Sequence, residues 1–494
     1  MQIEMRQKPK STFTITAVCI IPAVILLWML IFFDQSQIDA PKADIISTVI
    51  TLFGVAGCVT AAIIMKAYGK LCEGKFIALI LLAAFFVRLG YVIRCPYNIN
   101  QHDVEGLNSN GHLSYIYRLA AGDGLPDSNN WQYCHPPLHH ILASGVFGMS
   151  QSFGITKAGS FENIQLLTLL YSHFTTAIWC LLLRNLHIKR LALFICCGII
   201  AFHPTFTILA ASINNDILTI MLSSAAIYFL FKWYSKPSVK YALLIGTFTG
   251  LAMMSKFSAA LIAIVAAITV LIRFASDKEY KTGAFFAQTA SFLATVLPLG
   301  LWYQVRNMIK FGQPLGYVAP LSTESQLYTG NESLISRFLI APETENLKLF
   351  CDPWNDVNII AYTLRSSIFG EYKWGSTAIC TVLLLLNAAM IVLALTAAIV
   401  MLTKYKGYKD WRAIIFSVIW VVHVAFSVYF YLSSPFGCTM DFRYAVPTVL
   451  ANVGLLALCA DKMQCSDRKW VKAIFGCMCA VSVAFCIFSV FAIF

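Results

Sequence analysis

CPYNINQHDVEGLNSNGHLSYIYRLAAGDGLPDSNNWQYCHPPLHHILASGVFGMSQSFGITKAGSF, residues 95–161, is a polar interruption in a chain otherwise built of apolar runs. It holds five of the nine histidines (His102, His112, His135, His139, His140) together with Asp103, Glu105, Asp123 and Asp127. Ionisable groups next to hydrocarbon are costly unless solvated or paired, so a dense cluster there marks a candidate functional site. The rest of the chain says why hydrocarbon is the neighbour. It is 59% hydrophobic and only 12% charged, about half the charged share of a soluble domain, with mean hydropathy +0.71. Its apolar runs are long enough to cross a core about 30 Å thick. Only helices and closed barrels satisfy their backbone there, and continuous rather than alternating runs read as helices.

The reading is an all-α polytopic membrane protein. Thirteen spans are expected, near 12–33, 46–65, 76–94, 164–183, 191–208, 213–231, 241–254, 257–272, 284–304, 376–403, 413–432, 444–460 and 473–493. The net charge of +12 could suggest nucleic acid, but its distribution points to a membrane. The N-terminus and the short loops on its side of the membrane collect 23 of the 36 Lys and Arg but 7 of the 24 Asp and Glu. Lys and Arg concentrate in short cytoplasmic loops. The N-terminus is therefore expected inside, residues 95–161 outside, and the C-terminus outside after an odd number of spans. Residues 12–33 lack a small-residue cleavage pattern and read as a retained anchor, not a cleaved signal. Most of the 16 cysteines lie in apolar spans as small hydrophobes; a Cys95–Cys134 bridge is left open, and no zinc-type cysteine pairing occurs.

Within the first long outer loop, GHLSYIYRLAAG spaces Leu113, Ile116, Tyr117, Leu119 and Ala120 as a helix with one apolar face, suited to lying on a membrane. Pro136 and Pro137 then lead into a second interfacial helix from Leu138 to Phe147. The second long outer loop, residues 310–375, is broken by Pro314, Pro320, Pro342 and Pro353 and carries the sequon Asn331-Glu332-Ser333. SSIFGEYKWG, residues 366–375, looks interfacial. SINND puts Asp216 at a helix N-terminus, either as a cap or as a second acid. Lys256 stands between two apolar runs, as a snorkelling turn residue or an ammonium for a phosphate. Arg306 follows the interfacial Trp302 and Tyr303, and Arg443 with Tyr444 stands at the outer mouth of a later span. The chain has no short-period repeat and reads as one membrane domain with outer loops.

These residue types suit transfer of a sugar from a lipid phosphate. A carboxylate within reach of the acceptor hydroxyl acts as general base. Cations stabilise the phosphate as it leaves, and an apolar bundle holds the lipid. Asp103 is the candidate base, Glu105 and Asp216 the further acids, and Lys256, Arg306 and Arg443 the candidate phosphate contacts. Arg suits bidentate phosphate binding, while Lys acts as a point charge. His102, His135 and His139 are candidates for acceptor contact or, with Asp103, for a divalent metal ion. Each has a plain structural alternative: a solvated loop acid, an interfacial donor or a membrane-edge anchor. A transporter or flippase of lipid-linked sugars, and a non-catalytic assembly subunit, are the competing functions. The missing repeat and the charges gathered on one side count against the transporter.

Asp103 in the first outer loop, His135-Pro136-Pro137-Leu138, Asn214-Asn215-Asp216, Lys256 in SKFSA, Trp302 to Asn307 before FGQP, and Phe442-Arg443-Tyr444 with Pro447 soon after form an ordered set. In it the chain resembles the GT-C superfamily of polyprenyl-phosphate-sugar glycosyltransferases. More narrowly it is similar to bacterial members of glycosyltransferase family 39, related to protein O-mannosyltransferases and lipid A aminoarabinose transferases. The resemblance implies a GT-C-like helical bundle over residues 76–494, including outer loops 95–163 and 305–375, with two additional N-terminal helices in residues 1–75. It also implies an inverting transferase in a bacterial plasma membrane, acting on the outer face, with Asp103 as base and Lys256, Arg443 and Arg306 on the donor phosphate. Its partners would be a polyprenyl-phosphate sugar and a lipid or cell-envelope glycan acceptor. Some relatives carry a divalent metal. His135 stands where relatives often have Lys, and Asp103 and Glu105 are not adjacent as in the protein mannosyltransferases. Protein is therefore the less expected acceptor.

Overall fold

Long aliphatic stretches with few interior prolines make helices, and short polar residues start them. Asp39 accepts from the Lys42 amide and Asn358 from those of Ile360 and Ala361; Ser376 and Asp410 cap later helices in the same way. Such side chains satisfy amides that the first turn leaves open. The computed structural model describes residues 16–101, 103–277, 280, 282–339, 357–372 and 376–494. Among these, no named strand occurs.

The helices in chain order are α1 (Ile21–Phe32), α2 (Ala40–Ala67), α3 (Glu73–Arg94), α4 (His112–Ala120), α5 (Leu138–Ser152) and α6 (Lys157–Asn185). Next come α7 (Arg190–Phe202), α8 (Pro204–Ala210), α9 (Asp216–Ser235), α10 (Val239–Ser255), α11 (Ala260–Ser276) and α12 (Thr282–Phe311). The last six are α13 (Leu334–Phe338), α14 (Ile359–Phe369), α15 (Thr377–Thr403), α16 (Trp411–Ser433), α17 (Pro447–Met463) and α18 (Lys469–Phe491). Each of the expected spans falls on helix. Among the described residues, 10 helices are long and apolar enough to cross a membrane. The expected span 191–208 is interrupted at His203, where the helical backbone breaks (ψ 126°) ahead of Pro204. Proline disfavours helical backbone in the residue before it.

The exposed surface identifies the solvent. The apolar window of α3 is 83% buried within the protein, but that of the similarly apolar α2 only 11%. Phe53, Ile309 and Phe32 are 75%, 79% and 69% exposed. In water each such side chain would forgo roughly 1.5–3 kcal/mol of burial, so this surface belongs against lipid. The protein is an all-α polytopic membrane protein.

Backbone contacts divide the chain into two compact units, Met1–Asn185 with Leu209–Ala319, and Leu186–Ile208 with Pro320–Phe494. In the first, α3 packs between α2 and α6. Arg88, fully buried in α3, donates to Thr176 of α6 (3.2 Å), so this intramembrane guanidinium faces protein. Arg94 pairs with Asp44 at 2.9 Å near the end of the same helix. Helix α10 runs tightly against α12: a Cβ at Gly246 would lie 2.5 Å from the Phe292 carbonyl oxygen. In the second unit α7 is buried against α17 and α18, with α15 and α16 also packed on α17. An antiparallel bridge, Tyr328 with Phe436, is flanked by hydrogen bonds from Gly437 to Leu327 (2.7 Å) and from Thr329 to Pro435 (2.8 Å). Ser333 of the sequon caps α13. Cys351, Pro342 and Pro353 lie outside the described residues.

Candidate functional site

The loop after α3 turns back on itself before α4 begins. Asp103 and Glu105 both have left-handed backbone (φ 57° and 50°), which a side chain with a Cβ adopts at a cost of about 1–3 kcal/mol unless its surroundings hold it. Two backbone bonds do the holding: the amides of His112 and Leu113, opening α4, donate to the carbonyls of Asp103 (3.1 Å) and Val104 (3.2 Å). Gly111 permits the approach, since a Cβ there would stand 2.5 Å from the Val104 oxygen. Val104 is buried between the two strained residues, in an apolar cluster with Leu113, Ile116, Phe147 and Ile213. Asp103 is half-buried and Glu105 exposed. Helix α4 thus forms where its apolar spacing predicts, packed against α5.

Four of the loop histidines gather beneath this turn. His112 Nδ1 and His140 Nε2 are 2.9 Å apart and share a hydrogen bond. The His140 ring stacks on Tyr115 (4.0 Å between centroids), and His135 lies parallel to His112 at 6.1 Å. His139 Nε2 meets the carbonyl oxygen of Ile213 at 3.0 Å. Burial first, then the imidazoles of His140, His135 and His139 and the Lys256 ammonium, hold His112 well below the usual histidine range. Burial and its neighbours His139 and His135 do the same to His140. His139 is pushed down to about 4 by burial, opposed by its bond to Ile213 and by the Asp216 carboxylate. Neutral imidazoles are therefore the resting state of His112, His139 and His140 near neutral pH.

The Asp216 and Lys256 side chains form a buried ion pair between the start of α9 and the end of α10. Asn214, not Asp216, serves the helix start, accepting from the Asp216 amide at 3.1 Å. Lys256 does not snorkel: it is buried. Asn215 binds the Ser255 carbonyl (2.8 Å), locking the two helix ends together. Arg306 of α12 donates to the Pro126 carbonyl (2.7 Å) and to Asn307 (2.8 Å). One turn earlier Tyr303 binds the Tyr133 carbonyl (3.0 Å) and meets the Tyr115 hydroxyl at 3.2 Å. Nearby, Lys310 and Arg118 bind Asp127 at 2.8 and 3.0 Å. The Lys310 hydrogen bond leads in holding that carboxyl below its ordinary range.

One neighbourhood of the first unit therefore contains Asp103, His135, His139, Asp216 and Lys256, with Arg306 attached through Tyr303 and Tyr115. His102 lies outside the described residues. Cys95 and Cys134 are both free and buried, and burial pushes each thiol up to about 12. Among the described residues, which leave out His102, no group of three or more His, Cys, Asp or Glu is arranged to hold a metal ion. Sequence reasoning passed over Gln101 and Tyr115, read Tyr303 only as an interface marker, and gave His112 and His140 no role beyond membership of the histidine-rich loop. Their roles come from ring stacking and from contacts between distant elements.

The second unit holds Arg443 and Tyr444. Arg443 is buried; its amide donates to Asp441 (2.7 Å) and its guanidinium lies 5.2 Å from the Tyr444 ring. Phe442 donates to Ser366 at 3.0 Å, stitching this turn to α14. Arg365 of α14, also buried, lies over the Tyr362 ring at 4.6 Å, and Tyr362 donates to Glu371 at 2.7 Å. Sequence reasoning passed over Arg365. A cavity of ≈ 70 Å³ in this unit is lined by His203, Asn387, Phe442 and Asn452 among apolar side chains.

No curated protein matches the chain. Residues 135–302, less than half of it, match the family model described as dolichyl-phosphate-mannose-protein mannosyltransferase. That stretch runs from His135 through the Asp216–Lys256 pair to Trp302, and the match supports a glycosyltransferase of the GT-C type that uses a lipid-linked sugar in a membrane.

Proposed function

We propose that the chain is an inverting glycosyltransferase that moves a sugar from a polyprenyl-phosphate donor to a lipid or cell-envelope glycan acceptor on the outer face of a bacterial plasma membrane. The observation that carries the reading is the shared neighbourhood of an acid and a cation. Asp103 is bonded through its backbone to His112, whose ring bonds His140, and the adjacent His139 binds the Ile213 carbonyl, three residues before Asp216, the partner of Lys256. The acceptor oxygen attacks the anomeric carbon and Asp103 takes its proton. The bond from that carbon to the phosphate oxygen breaks, and polyprenyl phosphate leaves with the electron pair. Attack opposite the leaving group inverts the anomeric centre. Lys256 and Arg306 stabilise the departing phosphate, most strongly as its charge grows. Asp216 orients Lys256 in the buried site, and Glu105 is a second acid at the rim. His135 lines the acceptor side, and Tyr444 steadies Arg443.

The test is turnover by purified protein in lipid nanodiscs, with a polyprenyl-phosphate sugar as donor and lipid or glycan acceptors. Asp103→Asn keeps the shape of the acid but not its basicity. It is expected to lose about 10²–10⁴-fold in kcat, the range of general-base catalysis, with donor binding retained. Lys256→Ala weakens donor binding. Full turnover by Asp103→Asn removes it as the base.

A further inference from the structure

We infer that His112 and His140 are positioning residues: the hydrogen bond between their imidazoles holds the first turn of α4, and with it the strained Asp103 loop, in register with the Asp216–Lys256 pair. The use of that register in catalysis rests on the function proposed above; the holding itself does not.

Hydrogen bonds and short runs of chain close a circuit around the loop. Ile213, three residues before Asp216, is its common node. The Ile213 amide donates to Gln101 Oε1 at 3.1 Å, and its carbonyl oxygen meets His139 Nε2 at 3.0 Å. Gln101 also donates to the Ala211 carbonyl at 2.8 Å, so one end of the loop is tied to the segment leading into α9. At the other end the His112 amide holds the Asp103 carbonyl at 3.1 Å. The His112 ring passes the connection to His140 (2.9 Å), and the adjacent His139 returns it to Ile213. Asp103 is thus fixed from both sides against the element that carries Asp216. Removing the imidazole bond opens the circuit at its hydrogen-bonded link between α4 and α5, while the stacking of His140 on Tyr115 stays. The apolar contacts of Leu113, Ile116, Ala143 and Phe147 remain in place. Left-handed residues relax when their restraint is removed, so the loop is the part that moves.

The two rings use different nitrogens, and this makes the test specific. His112 bonds through Nδ1 and His140 through Nε2. An Asn amide occupies the Nδ1 position and a Gln amide the Nε2 position. His112→Asn and His140→Gln are therefore expected to keep the bond, while His112→Gln and His140→Asn misplace it. Two measurements read the outcome in the full-length protein in nanodiscs. Hydrogen exchange of the His112 and Leu113 amides should be about fivefold faster in the misplaced pair, the size of one modest hydrogen bond, and unchanged in the matched pair. Turnover should fall in the misplaced pair by as much as about a hundredfold in kcat, the cost of a small displacement of a reacting group, with donor KM unchanged. Equal exchange in all four variants, or matched variants no better than misplaced ones, overturns the inference. If the exchange pattern appears but the wild-type protein transfers no sugar from any lipid-phosphate donor, the positioning stands and the proposed function falls.

Discussion

Lys256 illustrates what one residue's surroundings add to its identity. As sequence it is a lone cation between apolar runs; as structure it is buried against Asp216. Pairing within a protein offsets a desolvation cost of several kcal/mol per ion, so loss of one partner is expensive while loss of both is not. Asp216→Ala is expected to destabilise by about 3–5 kcal/mol, because the ammonium is left in place without its counter-charge. The double change to Asp216→Leu with Lys256→Met should cost clearly less than the two single changes added together, since the partners share one interaction. Thermal unfolding of the three variants in detergent measures the difference. Strict additivity would mean that the two charges are solvated independently. The pairing was not readable in advance: SINND and MMSKF are 40 residues apart, and only the meeting of two helix ends brings them together. Asp103 is the opposite case. Its place just after an apolar span marked it, although the left-handed backbone that presents it depends on Gly111.

Among the elements, α4 and α5 were legible where local chemistry decides them. The spacing in GHLSYIYRLAAG gave the first helix and Pro136-Pro137 the entrance to the second. What they do with four imidazoles was not legible, because stacking on Tyr115 and the link to Ile213 depend on contacts between elements. The histidines give this pair of helices a pH dependence of known sign. His139 titrates near 6.5 in an unfolded chain but is pushed down to about 4 in the fold, chiefly by burial. The folded state therefore refuses protons that the unfolded state accepts, and its stabilising contribution is complete above about pH 6.5 and lost as pH falls toward 4. The midpoint of thermal unfolding is expected to drop across that window, with the largest loss of exchange protection in α4 and α5. A flat midpoint from pH 6.5 to 4 would contradict the neutral, buried cluster. The α10–α12 contact gives a second expectation. Gly246→Leu forces a side chain against the Phe292 carbonyl, 2.5 Å from the Cβ position, whereas Gly57 of α2 faces open space. Overpacking costs about 1–3 kcal/mol, so Gly246→Leu lowers the unfolding midpoint while Gly57→Leu leaves it nearly unchanged.

At the scale of the whole molecule, composition alone decided the solvent, and the exposed apolar surface of α2 agrees with it. The division into two units was less readable: the boundary at Leu209 falls within α8, in sequence as apolar as its neighbours. Orientation is a separate physical question, since the same bundle can be threaded either way and only the charge bias of the loops chooses. The bias of Lys and Arg toward one set of short loops predicts that the loops holding Cys72 and Cys465 face the cytoplasm. Both cysteines are free and exposed, so they report their side without engineering. A membrane-impermeant maleimide applied to intact cells should leave them unlabelled and react only after permeabilisation. A cysteine placed at the exposed Asn108, in the loop that carries Asp103, should react at once. The reverse pattern would put the acid and its histidines on the cytoplasmic side, where a donor displayed on the outer leaflet cannot reach them. Outer-face transfer would then be excluded even if every residue of the site proved necessary for turnover.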